Sequence, residues 1–186
     1  MADILRHSDA RRALSVYDHT YRDMAEISSK LLQIREVNLL AGSSYALRSL
    51  GRPAEARQRL DAAFALLSQL KLYPAQKIEA GSEADKALCA LADHEADTGN
   101  VARAIEVYQG LLDRLEAGGA KPETSLPDAV DLSHIWASVA VLDRRTGRVD
   151  LASALEKRRM ELWRHWERKL PNNPFVLRQI AAEPVL

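Results

Sequence analysis

Three glycines, Gly51, Gly99 and Gly147, stand 48 residues apart, and an alanine follows each of them five positions later (Ala56, Ala104, Ala152). One Gly-x4-Ala is common. Three at a constant interval, each set between long amphipathic stretches, mark a repeated supersecondary unit. A glycine just past a helix closes it in the left-handed conformation at low cost. Pro53 and Asn100 then suit the first turn and the N-cap of the next helix. The alanine must be small because two helices cross closely there. Each unit therefore reads as helix, tight turn, helix.

The flanking patterns have helical period. After Gly99 the apolar stripe is Val101, Ala104, Ile105, Tyr108, Leu111, Leu112 and Leu115. After Gly51 it runs Ala56, Leu60, Ala63, Phe64, Leu67 and Leu70, and before Gly147 it holds Ile135, Trp136, Val139, Ala140 and Leu142. Ser8–Tyr17 echoes Gly99–Tyr108 as a half-unit, which suggests a piece of a longer chain; a lone capping helix is the alternative.

Helices are expected near 9–24, 28–50, 53–72, 83–98, 101–117, 128–146, 149–169 and 174–182. Pro74, Gly118-Gly119 and Pro171 act as stops, and Asn173-Pro174 as a start. The expected architecture is all-α: one right-handed superhelical array of antiparallel helix pairs. It comprises a half-repeat at 1–27, repeats at 28–74, 75–122 and 123–170, and a capping segment at 171–186.

These residues resemble a tetratricopeptide repeat. Trp136 and Ala140 precede Gly147 at that family's spacing, and Ala152 follows it. Leu88, Leu91 and Ala92 precede Gly99, with Ala104 and Tyr108 after it; Leu40, Ser44 and Leu47 precede Gly51, with Ala56, Leu60 and Ala63 after it. The period is 48 where the family has 34, and Ser68, Glu116 and Arg164 replace its helix-ending proline, so longer helices are expected. Glu156 and Arg159 stand where small or apolar residues are usual, which predicts an exposed second helix in the last unit. The closing run from Trp163-Arg164-His165-Trp166 to Leu177-Arg178-Gln179 resembles the carboxyl-terminal end of bacterial serine/threonine protein kinases with tetratricopeptide tails. The resemblance implies a catalytic domain upstream and none here, because the glycine-rich loop, His-Arg-Asp and Asp-Phe-Gly signatures are missing.

Chemistry-bearing motifs are sparse. No Walker-type phosphate loop occurs. His94-Glu95 opens like a zinc-protease motif, but Thr98 takes the place of the second histidine, and the five histidines lack ligand spacing. Cys89, the only cysteine, reads as a core residue and suggests a reducing, cytoplasmic setting. The 26 basic and 26 acidic residues cancel, which argues against a general nucleic-acid binder, and no apolar run has membrane-spanning length. No enzyme activity, metal or cofactor is expected.

The expected function is to hold a protein or peptide partner. By the family's geometry the concave groove would present Asn38, Tyr45 and Arg48, then Lys86, Asp93 and Asp97, then His134, Arg144 and Arg145. Any one of these has an alternative reading as a solvated face residue. Ala41 and Tyr45 stand where carboxylate-clamping members carry lysine and asparagine, which argues against chaperone-tail binding. Charge is uneven: Glu79–Glu106 holds seven acidic and two basic residues, Asp143–Lys169 nine basic and five acidic. Either a dipolar partner or ordinary surface pairing, such as Glu161 with Arg164 and His165, accounts for that. Trp163 and Trp166 are expected to pack beneath the last helix through Phe175, Val176 and Ile180. The rival functions are self-association into a homo-oligomer and an enzyme with an unrecognised site.

Overall fold

A computed structural model describes residues 9–25 and 30–182. The remaining positions of the half-repeat (1–8 and 26–27), the first two of the helix expected from 28, and 183–186 of the capping segment lie outside the described residues. The described chain is all-α, with eight helices and no strand. They are α1 (Ala10–Ala25), α2 (Lys30–Ser49), α3 (Pro53–Gln69), α4 (Glu83–Asp97), α5 (Val101–Gly118), α6 (Leu126–Arg145), α7 (Val149–Lys169) and α8 (Pro174–Ala181). The chain forms two compact units. One takes residues up to Gln76 with Ser82–Asn100; the other takes Lys77–Gly81 and Val101 onward.

Three helix ends share one geometry. Gly51, Gly99 and Gly147 have φ of 71°, 90° and 77°. In each, the glycine N–H donates three residues back (to Arg48, Ala96 and Arg144 carbonyls) and the next N–H donates five back (to Leu47, Glu95 and Asp143 carbonyls). This Schellman pattern satisfies carbonyls that the helix end leaves open. Ala56, Ala104 and Ala152 are all fully buried.

Two other helix ends differ from expectation, and Asn173 caps the last helix as expected. α3 stops at Gln69, ahead of Pro74, because Lys71 takes the left-handed conformation (φ 58°) and closes the same pattern onto Ser68 and Leu67. Asn100 turns its side-chain amide back onto Glu95 (2.9 Å). Arg52 precedes Pro53 at the start of α3, Ser82 caps α4, and Ser125 caps α6 by accepting from the Asp128 N–H. Asn173 caps α8, its Oδ1 accepting from Phe175 and Val176.

In the first unit α1 packs on α2, α3 lies against α2, and both α2 and α3 pack on α4. Ala13, Ala46 and Ala56 meet without exposed surface, so backbones approach closely. Gly42 is required there: a Cβ would stand 2.8 Å from the Tyr17 ring.

In the second unit α6 and α7 pair, α5 packs on α6, and α8 packs on α7. Gly118 lies under the Ile78 carbonyl, 2.1 Å from where a Cβ would be, and the Ile78 N–H donates to Arg114 (3.0 Å). Trp163 is fully buried, meets Phe175 edge-on (6.0 Å between centroids), and donates to Ser133 Oγ (2.6 Å). Trp166 instead holds the loop before α6, donating to the Pro122 carbonyl (2.8 Å). The exposed second helix expected here is corrected at Arg159, which is buried at 6% exposure. Its guanidinium donates to Ser133 Oγ and to the Gln179 and Ala182 carbonyls, closing the carboxyl end of α8. Glu161 reaches Lys157 (3.9 Å), and His165 Nε2 donates to the Glu123 carbonyl, so the expected pairing of Glu161 with Arg164 and His165 is replaced.

Candidate interaction surface

Six of the nine groove candidates fall on α2 and α4, which run parallel in the first unit. Bonds climb both helices in step. Asn38 Nδ2 donates to Glu83 Oε1 (3.2 Å), Tyr45 Oη donates to Asp93 Oδ2 (2.9 Å), and Arg48 Nε pairs with Asp97 Oδ2 (2.7 Å). Arg48 also stacks on the Tyr45 ring, 4.8 Å from its centroid. Tyr45 and Asp93 are one repeat period apart, so equivalent positions of successive units are bonded to each other.

Burial, and next the Asp93 carboxylate, hold the Tyr45 phenol well above its ordinary range, so it stays a donor. Burial, and next the Arg48 cation, press the neighbouring His94 imidazole below its usual value. His94 Nδ1 is buried without a hydrogen-bond partner. Tyr45, Arg48, Asp93 and Asp97 are thus brought together, but as partners of one another across a helix interface. Lys86 is exposed on α4.

The other three candidates belong to the second unit. Arg144 makes a two-pronged pair with Glu156 on α7 (2.9 and 2.5 Å), which lowers the Glu156 carboxyl through the hydrogen bonds. His134 and Arg145 are exposed on α6. Asp143, next to Arg144 in the chain, is buried and pairs with Arg148 at 2.7 Å.

Sequence reasoning missed a second polar group in the first unit. Arg57 Nη1 donates to Glu95 Oε1 and its Nε to Asp61 Oδ1, both at 2.8 Å, while Glu95 also takes the Asn100 amide. The signal was present: Glu95 and Asp143 occupy the same place in their units, each facing a donor five residues on. Cys89 is half-buried with Sγ 3.6 Å from Asp85 Oδ1. Among the described residues no three His, Cys, Asp or Glu side chains gather as for a metal ion, and no helix is long and apolar enough to cross a membrane.

Compared with known family models, curated proteins and solved structures, the chain matches none.

Proposed function

We propose that the chain is a tetratricopeptide-like module that holds a protein or peptide partner without turnover. On this reading its helix pairs form a right-handed superhelical array, and it serves as the carboxyl-terminal part of a cytoplasmic signalling protein of the bacterial serine/threonine kinase kind. The observation that carries the reading is the recurrence of one turn, three times at 48-residue spacing, each with a buried alanine five residues on. Units built alike cannot bury their faces alone, and stacking them leaves a long side-chain-lined surface suited to an extended partner. The natural contact residues are the exposed candidates of each unit, Lys86 in the first and His134 and Arg145 in the second; in the first unit Tyr45, Arg48 and Asp93 tie α2 to α4.

The test is capture from a peptide library by the whole chain and by Lys86→Glu/Arg145→Glu, with circular dichroism to check folding. Loss of captured peptides in the folded variant supports the groove. Equal capture removes these two residues from the site, and no capture by either chain sinks the module reading.

Self-association is favoured by one observation: Val149 and Leu151 at the start of α7 stand about half exposed. Light scattering over a concentration series decides it, and a monomer throughout eliminates it.

A further inference from the structure

A cleft of about 550 Å³ opens in the first unit between α1 and the α2–α3 turn. Leu14 and Leu50 form its apolar part, and Arg11, Arg22 and Arg52 stand around it with Asp18. A second cleft, about 310 Å³, lies in the second unit between α5 and the α6–α7 turn. The two are repeat equivalents. Leu14 corresponds to Ile105, Asp18 to Gln109 and Arg52 to Arg148 under the sequence registers of the helices and turns. The repeat therefore generates a cleft at this place, and what distinguishes the copies is their side chains.

The differences run one way. Arg11 replaces Ala102, Ser15 replaces Glu106, and Arg22 replaces Asp113. The turn arginines also differ. Arg148 pairs with buried Asp143, whereas the equivalent of Asp143 in the first unit is Leu47, and Arg52 makes a two-pronged pair with Glu55 instead (both 2.6 Å). In the intervening copy Arg57 stands at the position of Leu14 and is tied to Asp61 and Glu95. Of these two clefts the first has three arginines about an apolar floor, Arg52 held by Glu55 and Arg11 and Arg22 exposed on α1. Its one carboxylate, Asp18, is already taken by Arg59 (2.6 Å), and Arg11 has no ion pair among the described residues.

We propose that this cleft binds an acidic peptide segment, its carboxylates on Arg11 and Arg22 and one apolar side chain against Leu14 and Leu50. Guanidinium groups suit carboxylates because their planar forks match them. The concavity favours a side chain over a flat membrane surface, and its size lies within the usual range for ligand sites. The proposal rests on the module reading but uses a different surface from that of Lys86 and Arg145.

The experiment is fluorescence anisotropy of the whole chain with a labelled nonapeptide pool in which glutamate or aspartate alternates with leucine or phenylalanine. Binding that weakens as salt rises from about 50 to about 300 mM is expected. Arg11→Glu/Arg22→Glu, two exposed side chains whose exchange leaves the core intact, should weaken it at least about tenfold. Arg11→Lys/Arg22→Lys should restore only part of the affinity. Lys86→Glu/Arg145→Glu should leave it unchanged. Equal binding by the Arg11→Glu/Arg22→Glu chain overturns the cleft, as does loss confined to Lys86→Glu/Arg145→Glu, which would leave the module reading standing. Equally tight binding to phosphatidylserine vesicles or single-stranded DNA overturns the assignment to a peptide.

Discussion

Gly51, Gly99 and Gly147 have open space around the position a Cβ would take. Alanine there meets only the backbone penalty of a left-handed conformation, about 1–2 kcal/mol. Gly118 is the opposite case: its φ is ordinary, but a Cβ would strike the Ile78 backbone carbonyl. Urea unfolding should therefore show Gly147→Ala losing about 1 kcal/mol and Gly118→Ala about 3 kcal/mol, the upper part of the overpacking range. The reverse order would mean that the 77–81 segment yields easily. The first requirement was legible in the sequence, since a left-handed helix end is a property of one residue and its neighbours. Gly118 was legible only as a stop, because its close neighbour is 40 residues away.

His94 gives a second residue-scale prediction. It faces Arg48 from α2, Arg57 from α3, and Glu95 and Asp97 on its own helix, and its imidazole is pressed below the ordinary value of 6.5. Above that value the imidazole is neutral in both folded and unfolded chains and contributes no pH dependence. As pH falls through 6.5 toward the folded value, the unfolded chain takes the proton first, so stability declines. Below the folded value the loss is complete. Chemical denaturation across this window should show the decline, and His94→Leu should flatten it; an unchanged slope would assign the effect to another group.

At the scale of elements, the turn glycines and caps fixed most helix boundaries, while side-chain pairing was not legible. Tyr45, Arg48, Asp93 and Asp97 were found because the resembled family's geometry places those positions of successive first helices on one surface. That they bond to one another depends on how closely α2 and α4 approach, which no single helix records. Arg159 was misread for a related reason: a cation at an apolar position signals exposure until a carbonyl partner is known. Here it holds α8, whose eight residues are too few for a stable isolated helix. Arg159→Leu should release it. The expected loss is about 2 kcal/mol for hydrogen bonds from a charged donor, with hydrogen exchange rising first at 175–181. Asn173→Ala should act on the same helix from its other end at about 1 kcal/mol. If exchange in α8 stays slow in Arg159→Leu, the apolar seat of Val176 and Trp163 holds the helix without the arginine.

At the scale of the molecule, contacts within each unit join helices that are adjacent or nearly adjacent in the chain. Such contacts close short loops, so folding can proceed locally and damage need not spread. A cooperative globule behaves otherwise: a defect lowers protection everywhere by the same free energy. Gly42→Ala separates the two. The new methyl displaces the Tyr17 ring and loosens α1 against α2, at a cost of about 1–3 kcal/mol. In a repeat array, residue-resolved exchange should rise across α1, α2 and the start of α3 while α7 and α8 keep their protection. Uniform loss from α1 to α8 would show a single cooperative body, in which the 48-residue period is a pattern of the sequence with no energetic counterpart. The extended binding surface proposed above would then lose its main physical support, because a stack of repeated units is what generates such a surface.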